Sequence, residues 1–168
     1  MKLAKSLNRL GTETAFSVLA EAKKLEAAGK PMIHLGLGQP DFKTPKHIVD
    51  AAKKALDDGH HGYVLSNGIL ECRQAVTRKI KKLYNQDVDP ERIIIMPGGK
   101  PTMSYAIQCF GEPGVEIIHP TPAFPIYESM INFTGAKAVP IDMLENKDFS
   151  LNPEKILSLI NENTRLII

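Results

Sequence analysis

Only two cysteines, Cys72 and Cys109, occur in the 168 residues, and neither stands in a Cys-x-x-Cys pair or beside a paired histidine. That excludes a disulfide framework and a thiolate zinc site, and makes a reducing compartment the default. No run of about 18 apolar residues occurs, so no segment reads as a membrane span. The opening stretch MKLAKSLNRLGTETAF has no apolar core of signal-peptide length. A cytoplasmic protein is the expectation, by absence of contrary signals. Excess charge of one sign is missing too. There are 21 Lys+Arg against 19 Asp+Glu, a net +2. The basic residues are scattered through helix-like stretches such as Lys23-Lys24, Lys53-Lys54 and Lys79 to Lys82. They read as solvated helix faces rather than a nucleic-acid patch. Internal repeats and low-complexity segments are absent as well.

What remains is an ordinary globular composition, 43% hydrophobic and 24% charged, at a length that suits one domain. Thr14 to Ala28 reads as an amphipathic helix patterned by Phe16, Leu19, Ala20, Ala22, Lys23, Leu25 and Ala27, with Gly29 ending it. After the apolar run Met32 to Leu35 comes a breaker, Gly36-Leu37-Gly38-Gln39-Pro40. Thr44 and Pro45 read as N-cap and first residue of a second helix that reaches Gly59. A third spans Leu70 to Tyr84. From Arg92 onward strands and helices alternate. Ile93 to Met96 reads as a doubly covered parallel strand, followed by a helix from Thr102 to Phe110. Then come a strand at Val115–Ile118, a helix at Ile126–Phe133 and a strand at Ala136–Ile141. A helix at Pro153–Ile160 and a strand at Arg165–Ile168 complete the pattern. The alternation predicts a layered α/β sheet. A core parallel strand expects a crossover after it, so a sheet ending at Ile168 reads as incomplete.

Three segments can carry chemistry. In Ile93-Ile94-Ile95-Met96-Pro97-Gly98-Gly99-Lys100-Pro101-Thr102 an apolar run enters a Gly-Gly turn and a helix begins at once. Glycines admit close approach of a ligand to the backbone, and the first N–H groups of a helix lack internal partners. With the helix dipole they suit a phosphate, although the same residues also suit a plain tight turn. In His119-Pro120-Thr121-Pro122-Ala123-Phe124-Pro125-Ile126-Tyr127, the loop leaves the C-terminal end of a strand, where open α/β sheets bind ligands. Phe124 there either offers a ring face to a flat cofactor or, with Tyr127, packs in the core. The backbone around Gly38, in Gly36 to Phe42, either donates to a carboxylate or forms a simple loop.

In this order and spacing, these pieces resemble class I/II aminotransferases of the fold-type I pyridoxal-phosphate (PLP) superfamily, over essentially the whole chain. Leu35 to Phe42 with Thr44-Pro45 is similar to the family stretch L-x-x-G-E/Q-P-D-F-x-T-P. Tyr63 with Gly68 to Arg73 is similar to Y-x-x-x-x-G-x-x-E-L-R, with Cys72 where Leu is usual. Gly98-Gly99-Lys100 matches the phosphate-binding turn. Glu112 to Ile117 resembles D-P-G-D-E-V, with Val115 replacing Asp, and Pro122 to Tyr127 matches the segment that carries the cofactor-stacking aromatic. The resemblance implies the N-terminal part of the aspartate aminotransferase-like large domain, a three-layer α/β/α sandwich with its sheet incomplete. Residues 1–40 would form an arm and helix associated with the small domain, and residues 41–168 the first part of the PLP-binding domain.

The same resemblance implies roles residue by residue. Gly99 and Lys100 would bind the PLP phosphate through backbone N–H groups, the Lys100 side chain being dispensable. Phe124 would stack on the pyridine ring, and Gly38 would lie near the substrate carboxylate. Tyr63 would reach the phosphate of a neighbouring subunit, which implies a homodimer. The implied activity moves an amino group between an amino acid and a 2-oxo acid. The Schiff-base lysine, the acidic partner of the pyridinium and the carboxylate-binding arginine have no counterpart in this sequence, so the 168-residue chain alone is expected to be inactive. Three other readings compete: a C–S lyase on the same scaffold, a non-catalytic binding remnant, and a nucleotide-binding domain. The last lacks a full Gly-rich fingerprint.

Overall fold

A computed structural model describes residues 2–11, 14–36 and 38–168, with the side chain of Thr14 left out. They fall into two compact units, residues 38–97 and residues 1–37 together with 98–168.

The larger unit holds the sheet. Strands β1 (Glu116–Thr121), β2 (Lys137–Asp142) and β3 (Thr164–Ile167) are all parallel, in the order β2-β1-β3. β1 is central, and Ile117, Ile118 and His119 are buried in succession. Successive strand residues face opposite sides, so such a run requires cover on both faces. The connections supply it. Helix α5 (Ile126–Thr134) links β1 to β2, and α6 (Pro153–Leu159) links β2 back across the sheet to β3. Right-handed crossovers that step in opposite directions put their helices on opposite faces. On one face α4 (Gly99–Phe110) and α5 bury Ile107 and Ile131 against Val115, Ile117 and Ala136. α6 packs on β2. Asn152 caps α6, its Oδ1 accepting from the Glu154 and Lys155 amides at 2.9 and 3.3 Å.

Helix α1 (Thr14–Ala27) belongs to the same unit, and its half-buried stripe is Ala15, Leu19, Ala22 and Leu25. Phe16, expected in the apolar pattern, lies off that stripe and is 55% exposed. A short 3-10 turn at Lys5–Arg9 docks on the end of α5. Arg9 Nε donates to the Asn132 carbonyl at 2.8 Å and Nη2 to that of Phe133 at 2.7 Å. A cation there satisfies last-turn carbonyls and complements the helix dipole. Beside it lies a cavity of about 530 Å³, lined by Arg9, Leu10, Ile126, Glu128 and Met130 among others.

The smaller unit carries α2 (Lys46–Asp57) and α3 (Leu70–Tyr84). α3 has the expected bounds, with Asn85 in the left-handed region (φ 54°) at its C-cap. α2 starts one residue later than expected, because Pro45 is its N-cap and the Thr44 hydroxyl makes no cap bond. The expected strand at Ile93–Met96 is not formed. Ile94 and Ile95 are exposed, and the segment's amides bond outside any ladder, Ile93 N–H to the Pro90 carbonyl and Ile95 N–H to the Asn67 carbonyl, each at 3.1 Å. β propensity gives no ladder where no neighbouring strand pairs with it. The doubly covered strand of this chain is β1.

Buried Arg73 organises this unit. Its guanidinium, 2% exposed, donates to the carbonyls of Gly68 (3.1 Å) and Pro90 (3.0 Å) and to the Glu91 carboxylate (2.7 Å). One side chain thereby ties the turn before α3 to the 3-10 turn Pro90–Arg92.

Candidate active site

The glycine turn builds the site floor. Gly98 is the N-cap of α4 with φ 100° and ψ 158°, a conformation essentially reserved for glycine. A Cβ placed on Gly99 would meet no atom within 4 Å. The packing of the described residues therefore leaves open space where a ligand could approach the Gly99 backbone. Pro101, in the first turn, has no N–H to leave unpaired. The Thr102 hydroxyl donates back to the Gly98 carbonyl at 3.1 Å, which fixes the turn. No carboxylate lies in that first turn, so nothing there opposes the helix dipole's attraction for an anion. These features fit a phosphate group.

The second wall comes from the loop after β1, which leaves the strand through a cis Thr121–Pro122 peptide. Phe124 is 39% exposed, and Tyr127 meets it edge-on, with ring centroids 6.2 Å apart and planes at 87°. Tyr127 packs on the core of the sheet, so the ring in front of it is anchored. Phe124 is thus neither a core residue nor a free one, while Tyr127 serves the core.

Lys100 joins the two walls. Its ammonium lies 5.6 Å from the centroid of Phe124 and 5.3 Å from that of Phe16. The structure thus brings together Gly99, Lys100 and Phe124, and it sets the ring of Phe16 beside the Lys100 ammonium, a contact that sequence reasoning did not anticipate. No periodicity signals it, since the contact joins segments far apart in the chain.

Gly38 and Tyr63 lie in the smaller unit. Gly38 is exposed with open space around its Cβ position, and Tyr63 is fully exposed. Just behind β1's end, His119 is 5% exposed. Its Nδ1 donates to the Pro120 carbonyl at 3.1 Å, and its Nε2 is buried without a protein partner. Among the described residues no cluster of His, Cys, Asp and Glu could hold a metal, and no helix is long and apolar enough to cross a membrane.

Residues 30–168 match the family "Aminotransferase class I and II". The chain belongs to that family. The aspartate aminotransferase of Bacillus subtilis is 36% identical over 168 residues, all of this chain and 43% of that protein. A probable aspartate aminotransferase of Methanocaldococcus jannaschii is 42% identical over 136 residues, 81% of this chain and 36% of that one. Among solved structures, the aspartate aminotransferase from Thermus thermophilus with maleate matches with a TM-score of 0.91 at 30% identity, over 100% of this chain and 44% of that one. The alanine aminotransferase from Pyrococcus furiosus matches with a TM-score of 0.90 at 27% identity, over 99% and 43%. The aminotransferase chain thus has the aspartate aminotransferase-like α/β fold, and it spans less than half the length of these relatives. The three parallel strands form an open sheet.

Proposed function

We propose that this chain supplies the phosphate-binding and ring-stacking part of a PLP-dependent aminotransferase. The observation that carries the reading is the convergence of the glycine-led start of α4, Lys100 and the anchored ring of Phe124. Backbone N–H groups of Gly99 and Lys100 bind the phosphate, where the dipole of α4 favours a dianion. Phe124 lies against the pyridine ring, and its T-shaped contact with Tyr127 helps hold it there. Gly38, with no side chain, leaves room for the substrate carboxylate. Tyr63, wholly exposed on its own unit, reaches the phosphate held by a second copy, so the active enzyme is a homodimer with shared sites.

PLP, when bound, supplies an electron sink for chemistry at the amino-acid Cα. The reaction is amino transfer between an amino acid and a 2-oxo acid in the cytoplasm. The 168 residues hold no lysine in the context of the family's Schiff-base position. Turnover therefore belongs to a longer polypeptide, in which residues 1–40 accompany the small domain and residues 41–168 begin the large one. A C–S lyase uses the same floor and wall, and its products separate it from a transaminase.

The test is an amino-transfer assay on the protein made from the complete reading frame, with the 168-residue chain alongside. Exchange between amino donors and 2-oxo acids by the longer protein supports the reading. Release of ammonia and pyruvate without exchange would favour the lyase. Turnover by the 168-residue chain would overturn its dependence on a lysine elsewhere.

A further inference from the structure

Phe16 poses a problem that packing does not solve. It lies in the first turn of α1, off the buried stripe, and an aromatic ring left 55% exposed contributes little to a core. Its ring does meet the Lys100 ammonium, at 5.3 Å from the centroid, and the same ammonium lies 5.6 Å from the centroid of Phe124. A lysine head on a four-carbon stem samples many rotamers in solvent, and two ring faces that attract it restrict that freedom. The three residues come from α1, α4 and the loop after β1, so the contact joins three segments of the chain.

We propose that Phe16 is a positioning residue of the candidate cofactor site, holding the Lys100 ammonium over the face of Phe124. This rests on the reading of that site given above. So held, the ammonium stays at the same end of α4 as the amides assigned to the phosphate, where its charge adds to the helix dipole. It also helps fix the Phe124 ring, already held by its T-shaped contact with Tyr127. The Lys100 side chain is then part of the site and not a bystander to its own amide. α1 contributes a wall through a residue that no motif marks.

Two measurements on the protein made from the complete reading frame test this. The first follows acetylation of individual lysines by N-hydroxysuccinimide acetate, read by peptide mass spectrometry, with exposed Lys43 as internal control. Phe16→Leu keeps apolar bulk without a ring face, and it is expected to speed Lys100 acetylation about two- to fivefold with Lys43 unchanged. Phe16→Tyr restores the slow rate. An unchanged Lys100 rate in Phe16→Leu overturns the ammonium–ring contact. The second measures binding of pyridoxamine 5′-phosphate, which carries the phosphate and ring but no aldehyde to react with lysines. Phe16→Leu is expected to weaken it by a similar factor at unchanged melting temperature, with Phe16→Tyr close to wild type. Faster acetylation with unchanged affinity overturns the positioning role. If wild type binds no pyridoxamine phosphate, the cofactor reading fails and the positioning role with it, while acetylation still decides the contact.

Discussion

Removing the donors of Arg73 should destabilise the smaller unit far more than removing the carboxylate it pairs with. The guanidinium is 2% exposed, whereas the Glu91 side chain is 67% exposed. Arg73→Met keeps much of the packed stem but leaves the Gly68 and Pro90 carbonyls without their donor. Stripping a charged donor from a part-buried carbonyl costs about 1–2 kcal/mol each, so about 2–4 kcal/mol is expected for the pair. Glu91→Gln is different. The freed end is solvated and its Coulomb energy is screened, so it should cost about 0–1 kcal/mol. The assay is urea unfolding of the wild type and both variants, with hydrogen exchange followed in peptides covering α3 and the 90–92 turn. Exchange there should rise in Arg73→Met, while peptides of β1 keep their protection, because the strand lies in the other unit. Equal small losses in the two variants would refute the reasoning, since they would mean that both carbonyls find water readily.

Gly68→Ala should cost about 1–3 kcal/mol in the same unfolding assay, because φ there is 93° and the new Cβ would sit 2.8 Å from Ile95 Cβ and Cγ1. Gly111→Ala should cost a similar amount by overpacking, its Cβ falling 2.5 Å from Thr134 Oγ1 and 2.9 Å from the Ile107 carbonyl. Full stability in either alanine variant would show that the neighbours yield freely. Ile131→Ala, at a fully buried position of α5, should cost about 2–5 kcal/mol, and a urea midpoint near wild type would count against a packed α4–α5 core. Glu116 accepts hydrogen bonds from Lys137 Nζ at 2.7 Å and Asn161 Nδ2 at 2.8 Å, and these hold its carboxyl below the ordinary 4.5. A lowered folded-state value means a contribution present above the unfolded value and lost as pH falls through the folded one. Stability measured from about pH 7 down to about pH 3 should therefore drop less steeply in Glu116→Gln, and identical acid limbs would sink the assignment.

Much of this was legible in the residues. The bounds of α3 follow from its apolar spacing, and the alternation from Val115 onward gives the remaining strands and helices within a residue, except that β1 runs three residues further, to Thr121. The Gly98-Gly99 turn announces the start of α4, although the helix begins at Gly99 and not at Thr102. The strand expected at Ile93–Met96 failed because a strand is a pairwise object. An apolar β-branched run has the propensity, but its amides need an adjacent chain, and sequence alone does not say which run receives one. Phe16 misled for a related reason: helical periodicity states that a residue shares a face, not what that face meets.

The sequence by itself determined most element types, the layered α/β class and the family, because periodicity, turn glycines and short motifs are local properties of adjacent residues. Tertiary structure alone decided that β1 is the strand covered on both faces and that Arg73 is buried. It alone placed the Lys100 ammonium on the rings of Phe16 and Phe124. Those facts depend on which distant segments pack together, and the free energy of burial, pairing and ring contact exists only once they do.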